Sequence, residues 1–150
     1  MTSKKLIEEF LSQKNIAVVG ASRDKKKFGC IVYNDLKSKG FSVYPVNPNS
    51  ENIECDKCYP SLIPLKGKIE AAVLVVPPSA SEEVVKDAHS AGIKMIWMQQ
   101  GSESEKAIRF CEESGIDVIH NECILMFVEP AGFIHRAHKW VWGVLGKLPQ

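Results

Sequence analysis

The chain has 150 residues, 45% of them hydrophobic and 25% charged, and a formal net charge of +1. That length suits one domain with a real core, and the near-zero charge excludes a global field that would draw in nucleic acid or an acidic membrane. No apolar run approaches the ~18–20 residues of a membrane span. The opening MTSKKLIEEFLSQ carries Glu8 and Glu9 among its apolar residues and does not read as a signal peptide. Five cysteines without an export signal point to reduced thiols and a cytoplasmic location.

In chain order, residues 3–13 read as a short helix with Leu6, Ile7, Phe10 and Leu11 on one stripe. The run IAVV (16–19) is continuously apolar, as in a strand buried on both faces of a parallel sheet. After a turn, Phe28, Ile31, Val32 and Leu36 repeat at helical spacing up to Gly40, a C-cap position. FSVYPV (41–46) is a second strand and NPNSEN a loop. KCYPSL holds a candidate short edge strand, weakened by Pro60. AAVLVV (71–76) is the clearest buried strand, ended by two prolines. Ser79 with Glu82 reads as a capping box for a helix that buries Val84, Val85 and Ala88 and stops at Gly92. IKMIWM is a strand, Ser102 with Glu105 caps the next helix up to Gly115, and IDVI is the last strand.

Strands alternating with helices through short connections predict a doubly wound α/β parallel sheet. Residues 1–128 form the domain, and 129–150 add a helical extension. In that extension Phe133, Ile134, Ala137, Trp140, Val141, Val144 and Leu145 make an apolar stripe. The plain reading is a terminal helix packed on the domain. The alternatives are a homodimer or protein-partner contact, or a flap over the ligand. Trp140 and Trp142 fall on different helix faces, so nucleic-acid stacking is discounted.

In such a sheet ligands sit beyond the C-terminal strand ends, where the strand order reverses. The turns expected there are 20–22 and 76–78. In VVGASRDKKKFG (18–29), Gly20 permits a sharp turn and close backbone approach. The helix that follows offers unpaired N–H groups to an anion, with Arg23, Lys25, Lys26 and Lys27 adding charge. The dinucleotide fingerprint wants three glycines in six residues, however, and only Gly20 and Gly29 stand here. The second strand ends Val46-Asn47-Pro48-Asn49, without the carboxylate that NAD's ribose needs. Basic residues suit a phosphorylated ribose instead, as in NADP or coenzyme A.

Five segments, in order and spacing, carry a resemblance: VVGAS (18–22), VYPVNP (43–48), CYPSL (58–62), VVPP (75–78) and WMQQG (97–101). Over about residues 14–125 the chain resembles the stand-alone CoA-binding domain family, which is related to the nucleotide-binding half of the succinyl-CoA synthetase alpha subunit. The resemblance implies a Rossmann-like sheet of order 3-2-1-4-5-6 with coenzyme A across the strand ends. It implies Gly20, Ala21, Ser22 and Arg23 at the ADP phosphates, and Asn47 and Pro48 at the adenine and ribose. Val76, Pro77 and Pro78 would border the pantetheine, with Gln99 and Gly101 at the neighbouring exit. Charge and reach add Lys26 or Lys27 at the 3′-phosphate or pyrophosphate. The synthetases' second domain, with its phosphorylated histidine, has no counterpart in this sequence.

No Ser–His–acid set, paired-carboxylate cleft or Walker loop is legible, so a binding or regulatory module for CoA or an acyl-CoA is expected rather than an enzyme. Two other classes compete. One is an NADP-type oxidoreductase, which lacks a recognisable catalytic residue. The other is a thiol or zinc protein using Cys55, Cys58, His120 and Cys123. His89 near a helix end, and His135, Arg136, His138 and Lys139 on the solvated face of the extension, need no chemistry. Cys30 and Cys111 read as small core residues.

Overall fold

The computed structural model describes residues 3–53 and 55–128. The expected extension, with its apolar stripe, its two histidines and its dimer or flap alternatives, lies outside the described residues. Helix α1 (Lys4–Leu11) starts at Ser3, whose hydroxyl accepts the Leu6 N–H at 3.1 Å, and buries Ile7 and Phe10. Strand β1 (Asn15–Val19), helix α2 (Phe28–Ser38) and strand β2 (Ser42–Val46) follow. A two-residue hairpin, β3 (Asn52–Ile53) and β4 (Asp56–Lys57), stands apart from the main sheet. Strand β5 (Ala71–Leu74), helix α3 (Pro78–Ser90), β6 (Met95–Met98), α4 (Glu105–Glu113) and β7 (Asp117–Ile119) complete the alternation. A 3-10 turn spans Ile124–Met126.

The main sheet is parallel, with order β2-β1-β5-β6-β7. Its three central strands carry apolar side chains alternately to both faces, which is why they read as unbroken hydrophobic runs. Ile16, Val18, Ala71, Val73, Met95 and Trp97 face a core closed by α1, α2 and the 3-10 turn. Ala17, Val19, Ala72, Leu74, Ile96 and Met98 face a second core closed by α3 and α4. Trp97 anchors the first core: its ring meets Phe10 edge-on at 5.4 Å between centroids, and its Nε1–H donates to the Glu122 carbonyl at 3.0 Å. Cys30 and Cys111 are buried as expected, and desolvation pushes the Cys111 thiol up to about 12.

The fold is the doubly wound one, with two local corrections. The edge strand in KCYPSL shrinks to one parallel bridge between Tyr59 and Val46, outside β2 in the expected order. Tyr59 donates to the Pro45 carbonyl and accepts from the Asn47 N–H, both at 2.9 Å. Pro60 then has no N–H with which to continue. Neither capping box forms as read. Helix α3 begins at Pro77-Pro78 with no side-chain cap, and α4 is capped by Ser104, whose hydroxyl accepts the Ala107 N–H. Proline at the first helical position needs no N–H acceptor, so Ser79 is not required as a cap.

Candidate functional site

The strand order reverses between β1 and β5, which pair directly and in parallel, with β2 on one side and β6 on the other. A cleft of about 820 Å³ opens at their C-terminal ends. It lies where a switch point places a ligand. Its floor is Val19, Gly20, Val75 and Val76, and one wall is Val46, Asn47, Pro48 and Asn49 with Pro60, Ser61 and Leu62. Lys27, Phe28 and Gly29 form the mouth of α2, while Pro77, Ala80, Glu83, Val84 and Asp87 bring in one side of α3. Gln100, Gly101 and Ser102, after β6, complete the lining.

Two glycines set the floor. Gly20 has φ +95°, and a Cβ there would lie 2.1 Å from the Val75 carbonyl oxygen, so the backbones at the ends of β1 and β5 touch without an intervening side chain. A Cβ on Gly29 would lie 1.9 Å from the Gly20 carbonyl oxygen, so α2 docks directly on the turn. Gly29 thus does what the last glycine of the dinucleotide fingerprint does, from nine residues away. The intervening loop braces itself. Ser22 Oγ accepts the Asp24 N–H at 3.0 Å, and Asp24 accepts from the amides of Lys26 and Lys27 at 2.9 and 3.0 Å.

Three helices start at this edge, and their N-termini differ. Helix α4 has a Ser104 cap, and the Gly101 amide beside it donates to the Glu103 carboxylate at 2.7 Å. The other Glu103 oxygen accepts the Asn121 N–H. Helix α3 begins with two prolines, and the Val76 amide before them donates to Ser102 Oγ at 3.0 Å. Helix α2 has Lys27 at its cap position and no side-chain cap. The amides of Phe28 and Gly29 have no acceptor among the described residues. An uncapped terminus with a lysine at the cap position favours an anion through both dipole and charge.

Of the residues singled out from sequence, Gly20, Ser22, Lys27, Asn47, Pro48, Val76, Pro77 and Gly101 line the cleft. Ala21 is fully buried, and its carbonyl accepts the Asn47 side-chain amide at 2.9 Å. Asn47 therefore ties the β2 exit to the turn after β1, while its Oδ1 accepts the Asn49 N–H. Arg23, Lys26 and Pro78 are exposed and outside the lining. Gln99 is turned inward: it donates to Cys123 Sγ at 2.9 Å and accepts the Ile124 N–H at 3.0 Å. Sequence reasoning missed Phe28 and Gly29 as lining residues, together with Ser102 and the acidic pair Glu83 and Asp87. Asp87 is held above the ordinary carboxylate range by burial and then by the Glu83 charge.

The cysteine set does not converge. Cys58 is buried with its Sγ toward the carbonyls of Asn47 and Tyr59, and desolvation raises its thiol, whereas Cys55 is exposed. Among the described residues no group of three His, Cys, Asp or Glu is placed to hold a metal ion. Nor is any helix among them long and apolar enough to cross a membrane.

Residues 14–129 match the CoA binding domain family. The chain belongs to that family. Its parallel sheet, its switch-point cleft and the matched span agree on coenzyme A as the ligand class. Among curated proteins, this CoA-binding domain is 28% identical over 130 residues to the alpha subunit of ADP-forming acetate–CoA ligase II from Pyrococcus furiosus. That match covers 79% of this chain but 28% of the ligase subunit. A further ADP-forming acetate–CoA ligase II, from Archaeoglobus fulgidus, is 37% identical over 90 residues, which make up 13% of its length. The chain thus spans less than a third of these curated relatives. Among solved structures, a conserved hypothetical protein from Pyrococcus furiosus is 46% identical, with a TM-score of 0.72, covering 74% of this chain and 96% of that one. A hypothetical protein from Pyrococcus horikoshii OT3 is 33% identical with a TM-score of 0.79, covering 95% of this chain and 94% of that one.

Proposed function

We propose that the cleft binds coenzyme A or an acyl-CoA with its pyrophosphate on the N-terminus of α2, and that the chain acts as a binding or regulatory module. The carrying observation is the open α2 terminus, docked on Gly20 through Gly29 and capped by Lys27 rather than by an acceptor side chain. Ser22 and Lys27 flank the phosphates, and Asn47 and Pro48 lie along the nucleoside. The Val75–Pro77 stretch offers an apolar wall to the pantetheine arm. Arg23 and Lys26, on the exposed loop, add charge from outside the cleft.

The test is a thermal-shift and calorimetric comparison of CoA, dephospho-CoA and NADP. A ligand at about 100 times its dissociation constant stabilises by about 2.7 kcal/mol. A larger shift with CoA than with NADP is expected. A larger shift with NADP, or none with CoA, would overturn the reading.

A further inference from the structure

The cleft is electrostatically divided. At one end stand Lys27 and the open amides of α2. On α3, which packs on the opposite face of the sheet from α2, Glu83 and Asp87 sit one turn apart, and both line the cleft. Neither carboxylate has a hydrogen-bond or ion-pair partner among the described residues, unlike the neighbouring Glu82, which accepts from Ser104 Oγ at 3.0 Å. Helix α3 carries two stripes: Ser81, Val85 and Ala88 are buried in the fold, while Ala80, Glu83, Val84 and Asp87 turn to the cleft. The same lining includes the apolar side chains of Pro48, Pro60, Leu62 and Val84.

An ionised carboxylate only accepts hydrogen bonds, and it repels phosphate. The ligand end that comes to rest there must therefore be uncharged and must carry donors. On coenzyme A with its phosphates at α2, both the pantetheine and the base fit that description; with the pantetheine along Val75–Pro77 the base is left for the carboxylates, and the apolar side chains beside them suit a planar ring. We propose that Asp87, with Glu83, reads the amino edge of the adenine ring and is the specificity determinant for an amino-purine over its deaminated counterpart. This rests on the coenzyme A reading above. The pair also fixes the direction of the ligand, since reversing it would set phosphates against two carboxylates.

The test is isothermal titration of the full chain with CoA and with its analogue in which hypoxanthine replaces adenine. The analogue exchanges the amine donor for a carbonyl acceptor and turns the adjacent ring nitrogen from acceptor to N–H donor, with no change in net charge. The natural chain is expected to prefer CoA by about ten- to hundredfold, the range for a hydrogen bond to a charged group. Asp87→Ala should remove most of that preference. Asp87→Asn, whose amide can donate to the carbonyl, should reverse it. Glu83→Gln should reduce it without reversal. Equal affinity of the natural chain for the two ligands, or an undiminished preference in Asp87→Ala, overturns the inference and leaves CoA binding standing. Absence of binding by either ligand overturns both.

Discussion

Gly29 sits against Gly20: a side-chain carbon on the former would lie 1.9 Å from the carbonyl oxygen of the latter. That contact couples the start of α2 to the end of β1, and through the Gly20–Val75 approach to β5. Gly29→Ala should therefore move α2 off the floor of the cleft. Backbone cannot yield as a flexible side chain can, so a loss of about 2–4 kcal/mol is expected. Chemical denaturation measures it, and titration should show CoA affinity falling as well. An unchanged unfolding midpoint would mean that α2 does not dock as described.

Of the basic residues in the loop, Lys27 alone lines the cleft. Lys27→Ala should weaken CoA by about three- to tenfold, as for a charge-assisted contact open to solvent. Lys26→Ala and Arg23→Ala should each do less, and their effects should fade at higher salt. Titration of the three variants at two ionic strengths orders them. A larger loss in Lys26→Ala than in Lys27→Ala would move the phosphate site outward along the loop.

Ser102 is 3% exposed, and its hydroxyl accepts the amide of Val76. Ser102→Ala leaves that donor without its acceptor at the rim of the site, a cost of about 1–3 kcal/mol. Hydrogen exchange at the Val76 amide should rise with it, while amides in the centre of β1 hold their protection. Equal protection at Val76 in both proteins would show that water takes over the bond.

The Glu122 side chain has a buried oxygen without a hydrogen-bond partner among the described residues, and burial raises its carboxyl above the ordinary value. A carboxyl raised in the folded state binds its proton more tightly there. Its contribution is fully present below the unfolded-state value and is lost as pH rises through the folded one. Glu122→Gln should accordingly unfold at a higher temperature than the natural chain near pH 7, with the gap closing below about pH 4. A gap that is constant with pH would point to packing rather than ionisation.

The sheet was legible because β1, β5 and β6 are buried on both faces, and such strands have no polar positions to blur the pattern. The resemblance to CoA-binding domains picked out the turn whose Gly20 and Ser22 line the cleft because its residues are consecutive. What sequence did not show is held by pairs far apart in the chain. The Gly20–Gly29 contact lies beyond the usual fingerprint spacing, and Ser102 reaches Val76 across 26 positions. The two false capping boxes have a related cause, since a Ser three residues before a Glu is local and says nothing of prolines or of a better-placed Ser104. The acidic pair did leave a trace. Positions 80, 83, 84 and 87 form a helical stripe of their own, beside the buried one at 81, 85 and 88. Only the fold reveals that the second stripe faces a cleft rather than open water.

Because the two docking glycines bracket the charged loop instead of alternating with it, scaffold and recognition occupy separate letters of the sequence. The exposed side chains of Arg23, Lys25 and Lys26 take no part in that docking, so exchanging them should leave the helix in its seat, whereas Asp24 braces the bend. Those three positions thus set charge outside the cleft independently of the architecture beneath it.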